Sequence, residues 1–380
     1  MSERQTYDYA VVGAGIAGAS VAYRLADTAS VVVLERESQP GYHSTGRSAA
    51  MFMETYGTAH TRALTRASRQ FYESPPAGFA DHPLLGARGV MYIATHAQQA
   101  LLRQAYDEYR AQSAEVALIS PHEAAARVPC LKSERLCGAI AEPEARDIDV
   151  HALHQGFLRG MRQRGAILRP DSTLTQARYA AGRWTLKLSD GQSVHARTLV
   201  NASGAWADQV AQACGAARIG LQPRRRTAFT FAGPEGVDFS AWPAVVGVDE
   251  SFYFKPDAGQ LLGSPANADP VAPHDVAPEE LDVATGIHRI ESATSMTIRR
   301  PRHTWAGLRS FVADGDFAIG WDPRAPAFFW VAAQGGYGIQ TAAAASELAA
   351  ALLTGQPLPQ HLREHGVNAE AVRPARLCEA

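Results

Sequence analysis

Hydrophobic periodicity changes twice within the first 35 residues. Residues 8–12 are a short apolar run with β-branched members, the pattern of a buried strand. Residues 16–27 then place Ile16, Val21, Leu25 and Ala26 at helical spacing. The stretch SVVVLE, 30–35, is apolar on both faces, as expected of a strand in a parallel sheet. Helical spacing returns at 60–73, 97–114, 149–165, 278–292 and 337–353. Strand-like runs occupy 89–94, 166–170, 224–231, 252–263, 317–321 and 328–336. Residues 173–206 read as short strands joined by the turns AAG and SDG, and the Pro/Ala/Asp-rich stretch 263–278 as an irregular loop. A hairpin meander between parallel-sheet elements is not a plain doubly wound pattern. It predicts a mixed α/β chain in which a nucleotide-binding domain is interrupted by an inserted mixed-β domain.

The first turn carries the clearest chemistry. Gly13, Gly15 and Gly18 form G-x-G-x-x-G after a strand and at the start of a helix, and the next strand ends in Glu35. In that setting the first glycine permits the tight turn. The second lets backbone approach a pyrophosphate, and the third lets the helix pack closely on the sheet. The N–H groups of the helix start favour an anion. Glu35 is placed to accept hydrogen bonds from ribose hydroxyls, and its charge argues against a 2′-phosphate. The local motif does not choose between NAD and FAD. Two distant stretches, VNASGAW at 200–206 and AAQGGYGIQT at 332–341, each read as strand, small residues, then helix; the first helix is expected to begin at Ala205. The second offers another helix N-terminus to an electronegative group, such as the O2/N1 side of a reduced flavin.

Composition narrows the field. The chain has 380 residues and a net charge of −2 without a basic stripe, which argues against nucleic acid as a partner. The four cysteines show no metal spacing, so free thiols are expected and no metal site is assigned. Three lysines, none in a suggestive context, make Schiff-base chemistry a poor fit. With a polar start and no long apolar run, neither a signal peptide nor a membrane span is expected. The reading is a cytoplasmic protein, with peripheral contact at the inner face of the membrane left open.

Taken together, VVGAGIAGAS, STGRSAA, NASGAW and GGYGIQT resemble the D-amino acid oxidase superfamily of FAD enzymes. The similarity is closest to bacterial FAD-dependent D-arginine dehydrogenases, through stretches such as HALHQGFLRGMR, DESFYFKPDAG and TIRRPRHTWAGLRSFVADGD along nearly the whole chain. The resemblance implies non-covalent FAD and a glutathione-reductase-like Rossmann flavin domain at 1–85, 145–215 and 305–365. It implies a substrate domain at 86–144 and 216–304, with 366–380 as a C-terminal tail. The cofactor set it implies is Gly13, Ala14, Gly15, Ile16, Gly18, Glu35, Arg36, Ser44, Thr45, Gly46, Arg47, Ser48, Leu174, Ala202, Gly204, Trp206, Gly335, Gly336, Gly338, Ile339 and Gln340. Residues 51–56 become a mobile lid over the substrate.

A 2-amino acid must have its carboxylate fixed, and a guanidinium does this bidentately. Arg224, Arg225, Arg226, Arg299, Arg300 and Arg309 are candidates; Arg224 and Arg226 can share a strand face. By resemblance Arg226 and Arg309 form the clamp, Tyr56 and Tyr253 add hydroxyls, and Gly336 offers a carbonyl to the amino group. The remaining pocket positions are Met51, Met53, Val90, Ala244 and Val246. Here the chain departs from the family pattern. Val90 stands where a D-arginine dehydrogenase has the glutamate that pairs with the substrate guanidinium. Met51 and Met53 replace a histidine and a threonine, and Ala244 replaces a methionine. The expected substrates are therefore apolar or broad D-amino acids rather than strictly D-arginine. Deamination would give 2-imino acids, then 2-keto acids and ammonia, with a quinone or other carrier as electron acceptor. Glu54 or another acid restoring the lost charge is one alternative. A glycine or secondary-amine oxidase using oxygen is another, and a non-catalytic flavin sensor is a third.

Overall fold

The computed structural model describes residues 6–377, so Cys378 lies outside it. An eight-stranded sheet forms the first layer. Thr6–Val12 lies between Val31–Leu34 and Ser193–Asn201, parallel to both, and Ile167–Arg169 extends the edge in parallel. On its other side Ser193–Asn201 meets Arg183–Leu188 in antiparallel register at its start and Phe328–Ala332 in parallel register at its end. The expected meander is thus grafted onto the same central strand that carries the parallel sheet. Helices Ile16–Leu25, Val150–Gln163 and Gly338–Thr354 pack together over one face. Gly160 makes that packing close, since a Cβ there would lie 2.4 Å from the Tyr23 ring.

The second layer is a nine-stranded sheet. Its order is Asp269–Pro270, Gln222–Phe231, Gln260–Ser264, Tyr253–Asp257, Ala244–Gly247, Val90–Thr95, Leu136–Glu142 and Ala117–Ile119. His303–Phe311 runs antiparallel along the free side of Gln222–Phe231. One face is buried under helices Pro121–Arg127 and Glu280–Ala293. Helix Gln99–Gln112 covers one end of the opposite face. A third, small sheet joins Met51–Phe52, Arg146–Ile148 and Leu85–Ala87.

Several sequence expectations need correcting. The run 252–263 is a hairpin, Tyr253–Asp257 and Gln260–Ser264, because Ala258 and Gly259 both take positive φ and turn the chain. The helix expected from Ala205 begins as a single 3₁₀ turn, Gly204–Trp206, and continues as Ala207–Ala213. The boundary at 305 falls inside His303–Phe311, which belongs to the nine-stranded sheet. Residues beyond 366 are docked: Glu370–Val372 and Pro374–Leu377 pack on Ala318–Trp321, and Arg376 pairs with Asp314 at 2.7 Å.

Candidate active site

The glycine loop has the geometry its spacing requires. Gly13 sits at φ +98°, and a Cβ there would come within 2.5 Å of the Ala202 carbonyl. A Cβ on Gly18 would lie 1.9 Å from the Gly13 carbonyl, so Gly18 is a packing residue and does not itself face the cleft. Gly15 opens into the cleft, with the Thr45 hydroxyl as its one close neighbour. Glu35 is buried and fixed: Oε2 accepts the Ala14 N–H at 2.8 Å and Oε1 the Glu37 N–H at 3.0 Å. Each oxygen keeps a lone pair for a ribose hydroxyl. Thr45 Oγ1 accepts the Ile16 N–H at 3.0 Å.

His154 was not selected from the sequence. Its ring lies under the loop and Nε2 is 2.8 Å from the Ala14 carbonyl. A carbonyl only accepts, so Nε2 carries the proton. Burial pushes the imidazole pKa down and keeps it neutral. Gly41 lies against the ring, where a Cβ would meet Cε1 at 2.8 Å. The available signal was a histidine on the inner face of an amphipathic helix. The Ala14 peptide is thus pinned at both ends, by Glu35 and by His154.

From the loop a continuous cleft runs between the two large sheets. Ile16, Glu35, Arg36, Leu174, Ala202, Gly204 and Trp206 line one end. Arg36 stacks over Trp206 at 4.8 Å, and the Trp206 ring lies 4.6 Å from that of His43. Ser44, Thr45, Arg47 and Ser48 line the middle, and Gly335, Gly336, Gly338 and Ile339 the far end, at the start of helix Gly338–Thr354.

Besides Ala14 and Thr45, four more of the expected cofactor contacts are engaged within the protein. Arg47 directs its guanidinium to the Val276 and Ala306 carbonyls, both at 3.0 Å, and to Asp275 at 2.5 Å. It clasps the 271–278 loop through Asp275 and Val276 while its chain lines the cleft. Ser44 donates to the Leu308 carbonyl at 2.6 Å. Gly46 lies outside the lining; it closes a tight turn onto the Gly41 carbonyl, where a Cβ would not fit. Gln340 is buried behind the cleft, its amide donating to the Met53 carbonyl and the Thr65 hydroxyl.

At the far end two strands present their cations together. In the register of Gln222–Phe231 against His303–Phe311, Arg224 faces Arg309 and Arg226 faces Gly307. Directly opposed residues share a face, so all three arginines point the same way. Arg225 points to the other side and is buried against Asp282, Glu279 and Asp269. Arg224 turns over the Phe311 ring, 5.4 Å away. Arg226 and Arg309 line the cleft beside Tyr253. Phe252 and Phe254, on either side of Tyr253, face the opposite core.

Arg226 donates to the Asn267 carbonyl at 2.6 Å and Arg309 hydrogen-bonds the Tyr56 hydroxyl. Neither forms an ion pair among the described residues. Burial and the neighbouring Arg309 charge push the Arg226 pKa down to about 10. Burial also opposes the Arg309 charge, but Tyr56 and Tyr253 outweigh it and leave that pKa above its ordinary value. Gly336 lies flat on the Arg309 guanidinium, where a Cβ would stand 2.9 Å from Nη1.

The remaining pocket positions come together in one apolar cluster next to this pair. Met53, Val90 and Ala244 are buried in it, with Met51, Tyr56 and Val246 packed alongside. They sit beyond the cleft lining, under the segment 51–56. Glu54 does not replace the missing charge, because it pairs outward with Arg69 at 2.7 Å. Two carboxylates act here: exposed Glu250, whose charge reaches Arg226, Tyr92 and Tyr337, and a buried one. Glu142 faces Val90 directly across the strand pair and is buried.

The model of the DAO family, described as FAD dependent oxidoreductase, matches residues 8–352. The chain belongs to this family. It is therefore an FAD-dependent oxidoreductase. It is 22% identical to FAD-dependent oxidoreductase domain-containing protein 1 of Bos taurus, over 91% of this chain and 81% of that protein. It is 23% identical to mitochondrial dimethylglycine dehydrogenase of Rattus norvegicus, over 67% of this chain but 30% of that longer protein. Among solved structures it resembles L-proline dehydrogenase from P. horikoshii, with a TM-score of 0.82, 19% identity and 98% of both chains covered. It also resembles glycine oxidase from Geobacillus kaustophilus, with a TM-score of 0.81, 21% identity, and 96% and 99% covered. At such identities these structures speak to the fold. The cleft fits FAD on its own terms: a side-chain-free approach at Gly15, a fixed Glu35, and a helix start at the opposite end.

Proposed function

We propose that this protein oxidatively deaminates D-amino acids with FAD held non-covalently in the cleft. Bound FAD supplies the two-electron acceptor. The chain's own residues hold and orient the substrate. Arg309 and Arg226 grip the carboxylate, Tyr56 and Tyr253 complete that end, and the Gly336 carbonyl receives the amino group. The carbonyl binds the neutral amine in a fixed place and so turns Cα toward the cofactor. The imine product hydrolyses in water to a 2-keto acid and ammonia. The eight-stranded layer is read as the flavin domain and the nine-stranded layer as the substrate domain.

One observation carries this reading. Two half-buried guanidinium groups share a sheet face, the Arg309 charge depresses the protonation of Arg226, and neither forms an ion pair among the described residues. Burying like charges without a counter-ion is costly, and a carboxylate relieves that cost. The apolar cluster of Met51, Met53, Val90, Ala244 and Val246 beside the clamp would favour apolar side chains over the guanidinium of D-arginine. A quinone or other carrier is the proposed acceptor.

The relatives favour a second reading. Dimethylglycine dehydrogenase and glycine oxidase act on amines, so a secondary amine or glycine, with oxygen as acceptor, is the alternative. Anaerobic mixing of the yellow protein with D- and L-amino acids, glycine and dimethylglycine, followed by flavin absorbance, tests both. Bleaching by apolar D-amino acids without peroxide on aeration is the expected outcome. Bleaching by glycine or dimethylglycine alone would replace the first reading by the second.

A further inference from the structure

We propose that Glu142 is a positioning residue that latches the lid over the arginine clamp, by holding Thr55 so that the next residue, Tyr56, keeps its hydroxyl on Arg309. Its strand, Leu136–Glu142, belongs to the nine-stranded sheet, while Thr55 belongs to the lid segment 51–56. The Thr55 hydroxyl donates to Glu142 Oε2 at 2.6 Å, and the Thr55 backbone adds a second hydrogen bond. Both side chains are almost fully buried, Thr55 at 2% and Glu142 at 3% exposure.

The surroundings make this carboxylate hard to explain as packing. It stands among Val90, Ile140 and Ala244, where a leucine would be cheaper to bury. Its charged and titratable neighbours are Glu54 from the lid, Arg69 from helix Ala59–Glu73, Tyr92 from Val90–Thr95 and Tyr109 from helix Gln99–Gln112. Arg69 is the one cation among them, and its guanidinium bonds Glu54 and Glu73 instead. Burial accordingly pushes the Glu142 carboxyl up to about 7, with the Thr55 bonds pulling the other way. Those bonds strengthen as Glu142 ionises, because a carboxylate accepts both Thr55 donors better than an acid does.

Other lid anchors lie elsewhere. Met51–Phe52 pairs with Arg146–Ile148, and Gln340 holds the Met53 carbonyl. Glu142 ties the residue before Tyr56, while Arg62 Nη1 donates to the Gly57 carbonyl after it at 2.6 Å. The latch rests on the proposed function only in that the clamp it serves is the substrate's.

The test uses the FAD-loaded protein and the variants Glu142→Leu, Glu142→Gln and Thr55→Val. Hydrogen exchange of residues 51–57 is measured without substrate. Binding of benzoate, a plain carboxylate probe, is read from the flavin spectrum. Losing a hydrogen bond to a charged group should speed lid exchange and weaken benzoate binding by about 10-fold in Glu142→Leu and in Thr55→Val. Exchange in 6–25 should stay unchanged. The double variant should be no worse than either single one, since one interaction is removed twice. Glu142→Gln keeps an acceptor for Thr55, so it should bind benzoate nearly normally yet lose any inflection near pH 7 in benzoate affinity. Unchanged exchange in 51–57 in both single variants, or effects that simply add, would overturn the latch. A wild-type protein that no amino acid reduces would instead bring down the proposed substrate, while the exchange result would still decide the latch.

Discussion

At the residue scale, the clamp makes a prediction that depends on protonation. Only the guanidinium form grips a carboxylate, and burial with the Arg309 charge pushes the Arg226 pKa down to about 10. Amino-acid kcat/KM should therefore decline above that pH even where substrate amines are fully neutral. Arg309→Met should lower kcat/KM by ~100-fold or more while leaving the flavin spectrum intact, because it leaves the substrate charge half-paired in a buried site. Turnover within a few-fold of wild type would remove the clamp from the mechanism. The pocket floor gives a second test. Val90→Glu should shift preference from D-leucine toward D-arginine, read as the ratio of their kcat/KM values. It should also lower Tm, since the new carboxylate faces Glu142 across the strand pair. Glu142 itself titrates with a definite sign. Its folded pKa of about 7 lies above its ordinary 4.5, so the folded state holds an extra proton between those values. The Glu142 contribution to stability is then greatest below about 4.5 and falls as pH rises to 7, by up to about 3 kcal/mol. Glu142→Gln should gain on wild type in Tm between pH 5 and pH 8.

At the element scale, the first strand–turn–helix was legible because every part of it obeys a local rule. Gly13 needs its positive φ, Gly18 needs its missing Cβ, and the apolar run of Val31–Leu34 needs two buried faces. The second sheet was less legible. Leu136–Glu142 has small residues and an extended glycine at 138, and its strand character comes from its neighbours Val90–Thr95 and Ala117–Ile119. His303–Phe311 carries polar and charged residues facing the cleft, which hides its period from a hydrophobicity reading. The arginines were chosen by resemblance; what spacing added was only that Arg224 and Arg226 share a face. Which of the two reaches the cleft is decided by Phe311, a residue 85 to 87 positions away that captures Arg224. His154 escaped notice because a histidine on a buried helix face is ordinary until its partner is known. Its partner, the Ala14 carbonyl, gives it a measurable role. His154→Ala should raise the Kd for FAD by ~10-fold through loss of one buried hydrogen bond, with the fold retained by circular dichroism. His154→Gln, which can still donate, should recover much of that loss.

At the scale of the whole molecule, the cleft is a seam between two sheets, and few polar ties cross it beside the cofactor. Ser44 reaches the Leu308 carbonyl, Trp305 Nε1 donates to the Arg47 carbonyl, and the Arg47 side chain gathers Ala306, Val276 and Asp275. Tyr42 donates to the same Asp275. The 271–278 loop is thereby strapped over the segment that lines the middle of the cleft. Two roles for Arg47 make opposite predictions. If its charge met the FAD diphosphate directly, Arg47→Ala would weaken binding strongly and in a salt-dependent way, while Asp275→Ala would free the guanidinium and tighten binding. If Arg47 is a clasp, both variants open the same strap. They should then speed FAD release by similar factors, within ~3-fold of each other, and the double variant should add little, because coupled partners are not additive. The geometry supports the clasp, since the Arg47 guanidinium already donates to the Tyr42, Val276 and Ala306 carbonyls and to Asp275. FAD dissociation followed by the return of flavin fluorescence on dilution measures these rates. A tighter-binding Asp275→Ala would reassign Arg47 to the cofactor.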